Sequence, residues 1–225
     1  MYFQAPDFYD RPLDQIIGVN VYFDSVGYTY RALSWLDIAR KRRNVCALQY
    51  AAHDVRQAIE QLLFEELVLS VGTELDRNEY KKCKGNSTKL HKIIKKLNPD
   101  YNKLAQFTQA ITAVNPDAPP LVTWDHSVLM KCWGDASKYL HWAGEPAETV
   151  ESDSWFNTGV QAVEDAAHYI WEKAIGGYTA IMMPRDMQPD IHELWARFKA
   201  GKTDCEGVMR TAKLALPILK NRVKA

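Results

Sequence analysis

From Tyr50 to Leu67 the chain reads YAAHDVRQAIEQLLFEEL, and its apolar positions recur at helical spacing. Leu48, Ala51, Ala52, Val55, Ile59, Leu62 and Leu63 form one stripe, which Leu67 extends. The pattern predicts a central helix from about Val45 to Ser70, stopped at Gly72. Before it, Leu33, Leu36 and Ala39 mark one side of a helix over Tyr28–Arg43, whose last turn carries Arg40, Lys41, Arg42 and Arg43. Cations there complement the negative end of a helix, and such a run either sits in solvent or grips phosphate.

Further along, Leu90, Ile93, Ile94 and Leu97 alternate with Lys89, Lys92, Lys95 and Lys96, which predicts an amphipathic helix over Lys89–Asn98. A shorter helix fits Tyr101–Ala113 between prolines. Asp125 or Thr123 is placed to cap the next, which runs to about Trp142 with Leu129, Cys132, Trp133, Ala136 and Leu140 inward. An acidic linker through Glu145, Glu148 and Glu151 precedes a long helix to about Ala174, with Phe156, Val160, Val163, Ala167 and Ile170 as its stripe. Two helices, Pro189–Lys199 and Cys205–Arg222, close the chain. Ile17, Val19, Val21 and Phe23 alternate as in a strand, which Tyr178–Met183 is placed to pair with. We therefore expect a mainly α fold: an arm and strand over 1–27, a helical bundle over 28–177, and a strand with a small helical appendage over 178–225.

Composition narrows the class. At 225 residues and 47% hydrophobic, the chain is long enough for one large domain or one domain with an appendage. Basic and acidic residues both number 28, so net charge points to no polyanionic partner, although residues 81–96 are locally basic. The four cysteines are scattered without CxxC spacing, so neither a zinc site nor a disulfide framework is indicated, and they suit a reducing compartment. No apolar run nears 18 residues and no leader pattern opens the chain, so we expect a cytoplasmic protein without a membrane span. No phosphate-cradling glycine loop or nucleophile signature appears, and no cofactor or metal is expected.

Candidate chemistry begins at Arg56. Its neighbours along the helix axis are Ala52, Ile59 and Leu63, so a guanidinium lies at the margin of the buried stripe. Glu60, one turn on, is its natural partner. Two readings follow: a structural ion pair at the rim of a bundle, or an arginine held by Glu60 to receive an anion. His141 lies off the apolar stripe of its helix, next to Lys138, as either a helix-end cap or an acid–base group. The basic helix Lys89–Asn98 is either a solvated face or a nucleic-acid contact.

The pairing of YAAHDVRQAIEQLLFEEL with the later DASKYLHW is similar to the HEPN group of helical proteins (higher eukaryotes and prokaryotes nucleotide-binding), in its uncharacterised bacterial branch. That resemblance spans roughly residues 28–175. It implies a metal-independent ribonuclease or toxin-type defence protein acting on RNA, with Arg56 on the phosphate, His141 as acid or base, Lys138 assisting and Glu60 supporting. It equally implies a non-catalytic module binding a nucleotide, RNA or protein. A homodimer is expected in either case, with an antitoxin or defence partner. Catalytic members carry an arginine, a polar residue and a histidine four to six positions beyond. Here the helix before His141 offers only Lys131 and Lys138, and a lysine lacks the bidentate fork. The formal match, Arg185, Asp186 and His192, sits between Pro184 and Pro189, which break the helix this motif occupies, and reads as a chance spacing.

Overall fold

The computed structural model describes residues 24–71, 86–116, 120–140, 153–177 and 181–222. Its helices are α1 (Ser25–Arg42), α2 (Val45–Val71), α3 (Ser87–Leu97), α4 (Tyr101–Thr112), α5 (His126–Ser137), α6 (Asp153–Gly176), α7 (Pro189–Lys199) and α8 (Cys205–Arg222). No strand occurs among the described residues. The expected strand pair finds no support: residues 17–23 and 178–180 lie outside the described residues, and Ile181–Met183 are irregular chain entering a 3-10 turn, Pro184–Asp186. That turn begins at a proline, whose missing N–H suits the start of a turn better than a ladder.

Contacts divide the chain into two compact units. One comprises residues up to Leu97 with Asp125–Glu172; the other comprises Asn98–Trp124 with the residues from Lys173 on.

In the first unit the α1–α2 hairpin is fixed by its caps. Asp24 accepts from the Gly27 N–H at 2.7 Å to open α1. Arg43 closes it in the left-handed region at φ 47°, and Asn44 accepts from the Ala47 N–H at 3.0 Å to open α2. Two residues thus reverse the chain. The alanines of the stripe, with Ala32 and Ala39 opposite, let the two backbones approach, and Leu48, Val55, Ile59, Leu63 and Leu67 are fully buried. Helix α5 starts at Asp125, which accepts from the N–H groups of Ser127 and Val128. It runs antiparallel to α2: Trp133 meets Glu60, while His126 meets Glu66. Helix α3 buries Leu90 and Ile94. Helix α6 buries Phe156, Val160, Val163, Ala167 and Ile170. It is tied antiparallel to α1 by Tyr30 against Trp171 and by the ion pairs Arg40–Glu164 and Arg43–Asp153.

The second unit packs α4, α7 and α8 around Leu104, Phe107, Leu194, Trp195 and Val208. The Phe107 and Trp195 rings meet edge-on with centroids 5.3 Å apart. The Lys199–Asp100 pair, at 2.5 Å, links the start of α4 to the end of α7. Pro189 opens α7 at its first position, where no hydrogen bond is lost.

Gly159 on α6 shows how tightly the first unit is filled. A Cβ there would lie 2.7 Å from Tyr139 Cε1 and 3.0 Å from Leu48 Cδ2. Tyr139 is buried edge-on against Trp155 and has little room to swing away. Alanine would gain about 1 kcal/mol of helix propensity over glycine. Overpacking a filled core costs about 1–3 kcal/mol. The clash is expected to win by up to about 2 kcal/mol, so Gly159→Ala should lower the melting temperature by up to roughly 8 °C. A calorimetric scan showing an unchanged or higher midpoint would mean that the Tyr139 ring is free to move.

Candidate functional site

Arg56 lies where α2 faces α5, with its side chain about one-fifth exposed at 22%. One guanidinium nitrogen, Nη2, donates to Glu60 Oε1 at 3.3 Å, and the plane stands over the Trp133 ring with its carbon 4.6 Å from the centroid. Trp133 Nε1 donates to the same Glu60 oxygen at 3.0 Å. The i,i+4 spacing on α2 supplies the pair, and α5 supplies the aromatic face that holds it. Glu60 itself is buried, so its charge is matched from two sides by groups it already possesses. Within this trio, Arg56 Nε is buried and has no hydrogen-bond partner among the described residues.

Lys138 is placed otherwise. It is 70% exposed and donates to Asp135 Oδ1 at 2.7 Å, while Lys131 reaches Asp135 Oδ2 at 3.0 Å. Lys138, then Lys131, holds the Asp135 carboxyl below its ordinary range. At about 100° per residue, Lys138 stands about 140° around the axis from Trp133, on the side away from Arg56. His141 lies outside the described residues. Arg185, Asp186 and His192 belong to the second unit: Arg185 Nε stands 3.7 Å from Asp186 Oδ2 in the 3-10 turn, and exposed His192 is on α7. Met187 and Gln188 interrupt the helix between them. The cations closing α1 are engaged as well, through Lys41–Asp37, Arg40–Glu164 and Arg43–Asp153.

A second polar cluster has no forecast in the sequence. Glu66 Oε2 lies 2.5 Å from His126 Nε2, both side chains being nearly excluded from solvent. The ring of His91 on α3 stands edge-on to His126 with centroids 5.7 Å apart, and His91 Nε2 is buried without a hydrogen-bond partner. Glu66 sits three and four residues beyond Leu63 and Leu62, inside the apolar stripe. A carboxylate there signals a buried partner but not which one. No group of three or more histidine, cysteine, aspartate or glutamate side chains able to hold a metal ion occurs among the described residues. The chain matches no protein-family model, no curated protein and no solved structure.

The unpaired imidazole sets a pH dependence. Burial, then Lys95 and His126, lowers the His91 pKa from its ordinary value of 6.5. The groups grouped around it are Lys95 on its own helix, His126 on α5 and, behind His126, Glu66 on α2. A histidine whose folded value is depressed takes up its proton more readily in the unfolded chain. Its contribution to stability is therefore complete above pH 6.5 and is lost as pH falls through the lower folded value. The melting temperature should fall between pH 7.5 and 5, and His91→Gln should remove part of that fall. An imidazole proton resonance of His91 titrating at or above 6.5 would contradict this.

Proposed function

We propose that this chain is a HEPN-like helical module that works by binding, without cutting, a nucleotide, RNA or protein partner. The observation carrying this reading is the engagement of Arg56. A catalytic arginine must meet the equatorial oxygens of a phosphate as charge develops on them. Arg56 instead meets a buried carboxylate and the face of Trp133. An incoming phosphate would face the repulsion of Glu60 and, by drawing Arg56 away, would leave that carboxylate buried with Trp133 Nε1 as its remaining donor here. Breaking a buried pair in this way costs about 3–5 kcal/mol, which a nuclease would have to recover at every turnover.

One observation favours the alternative. The Nε of Arg56 has no internal acceptor among the described residues, so an anion that displaced the side chain outward would satisfy it. On that reading the protein is a metal-independent endoribonuclease in which Arg56 binds phosphate and His141 moves the proton.

The two readings separate in one assay series. The purified protein, incubated with single-stranded RNA without added metal, should leave it intact. A panel of nucleotides and oligonucleotides should contain a ligand that raises the melting temperature. A ligand present at 100 times its dissociation constant adds about 2.7 kcal/mol, or roughly 5–10 °C for a chain of this length. Cleavage leaving 2′,3′-cyclic phosphate ends, lost in His141→Ala, would replace the binding reading with the nuclease one. A flat response across the panel would remove the nucleotide and RNA partners from it.

A further inference from the structure

Helix α3 carries Lys89, Lys92, Lys95 and Lys96 and no acidic residue. Lys92, Lys95 and Lys96 are exposed and Lys89 is half-buried. With 100° per residue, the four lie within about 120° of arc, opposite the face that buries Leu90 and Ile94, and span about 10 Å along the axis. None of them forms an ion pair among the described residues. Elsewhere the lysine ammonium groups Lys41, Lys131, Lys138 and Lys199 each stand 3.0 Å or less from an aspartate. Lys95 and Lys96 complement the negative end of α3, but Lys89 and Lys92 lie too far from it for that role.

Four like charges on one face repel each other, and an unpaired cluster of this kind suits an anion from outside. Three partner classes differ in what else they need. A protein partner is anchored by tryptophan, tyrosine and arginine, and this face has none. A membrane-surface helix needs a free apolar side, but Leu90 and Ile94 are committed to the bundle. Nucleic-acid phosphates need charge alone, and lysines without interleaved aromatics suit backbone contact with no reading of bases.

We infer that the lysine face of α3 is a docking surface for the sugar–phosphate backbone of nucleic acid. This deepens the binding reading above by naming the partner and the place. Contact with four phosphates of a single strand predicts a logarithmic salt slope near −2.8, so that raising salt from about 50 to about 200 mM weakens binding roughly fifty-fold.

The test is fluorescence anisotropy of the intact protein with labelled RNA, single-stranded DNA and duplex DNA of equal length, at those two salt concentrations. The three arms show whether ribose or strandedness matters. K89Q/K92Q/K96Q should keep the wild-type melting temperature, bind at least tenfold more weakly at low salt, and lose most of the salt slope. K89R/K92R/K96R should retain both affinity and slope, which keeps the result readable should the glutamine variant fold poorly. Wild-type affinity in the glutamine variant, or no nucleic-acid binding at all, overturns the proposal. So does equal binding of polyglutamate or of phosphatidylserine vesicles. Cleavage of the labelled RNA with the lysine dependence intact would overturn only the non-catalytic reading, whereas intact RNA bound without lysine dependence would overturn only this docking surface.

Discussion

Helix α2 carries three buried carboxylates, and their need for partners constrains the whole first unit. Asp54, Glu60 and Glu66 are each less than a tenth exposed. A carboxylate at such depth costs several kcal/mol unless it is paired. The partners come from outside α2 or are completed from outside it. Arg31 of α1 reaches both oxygens of Asp54, Nε at 2.6 Å, with the stem of α1 placing it there. Trp133 of α5 completes Glu60, and His126 of α5 meets Glu66. At the margin, Glu65 accepts from the Ser25 hydroxyl at 3.0 Å, tying the start of α1 to the far end of α2. Leucine and alanine stripes tolerate sliding and rotation; these directional contacts do not. Burial of the apolar stripe drives the helices together, and the acids decide their register.

The same logic ranks the cations by how far the fold dictates their positions. Arg31 and Arg56 neutralise charge that the fold has taken out of water, so their positions are dictated from inside. The lysines of α3 pair with no acidic side chain among the described residues. Surface pairs such as Lys138–Asp135 fall between, worth less than about 1 kcal/mol and broken easily. A side chain near the core is thus the less available one for a ligand, although its sequence position drew attention first.

Local pattern made the helices legible. The α2 stripe, the Asp125 cap, the proline opening α7 and the amphipathic α3 follow from propensity, capping and periodicity within a few residues of one another. The Arg56–Glu60 pair was also readable, because its partners lie one turn apart. What periodicity cannot convey is which stripe packs on which. Trp133 lies 73 residues from Glu60, and His126 lies 60 from Glu66. Likewise α4 joins α7 and α8 through Phe107 and Trp195, nearly ninety residues apart, although its sequence resembles any other short amphipathic helix. Tryptophan at 133 fitted an inward stripe, but its indole N–H, the feature that completes Glu60, has no signature in spacing.

Trp133 also explains how a guanidinium can remain at the core margin with Nε unbonded. Leaving a buried donor unsatisfied costs about 1–3 kcal/mol. A cation over an indole face contributes about 0.5–2 kcal/mol, more as water is excluded, and the exposed fifth of the Arg56 side chain keeps part of its hydration. The two effects nearly cancel. Replacing a buried ion pair by apolar groups of similar volume is often neutral or stabilising, so net stability gives little reason for Arg56, Glu60 and Trp133 to be together. What the trio does supply is direction. Glu60 Oε1 accepts from both helices at once, and rotating α5 by one residue would carry the indole N–H about 100° away from it. The arginine that first suggests catalysis is better understood as the counter-charge that lets a carboxylate fix the angle between two helices.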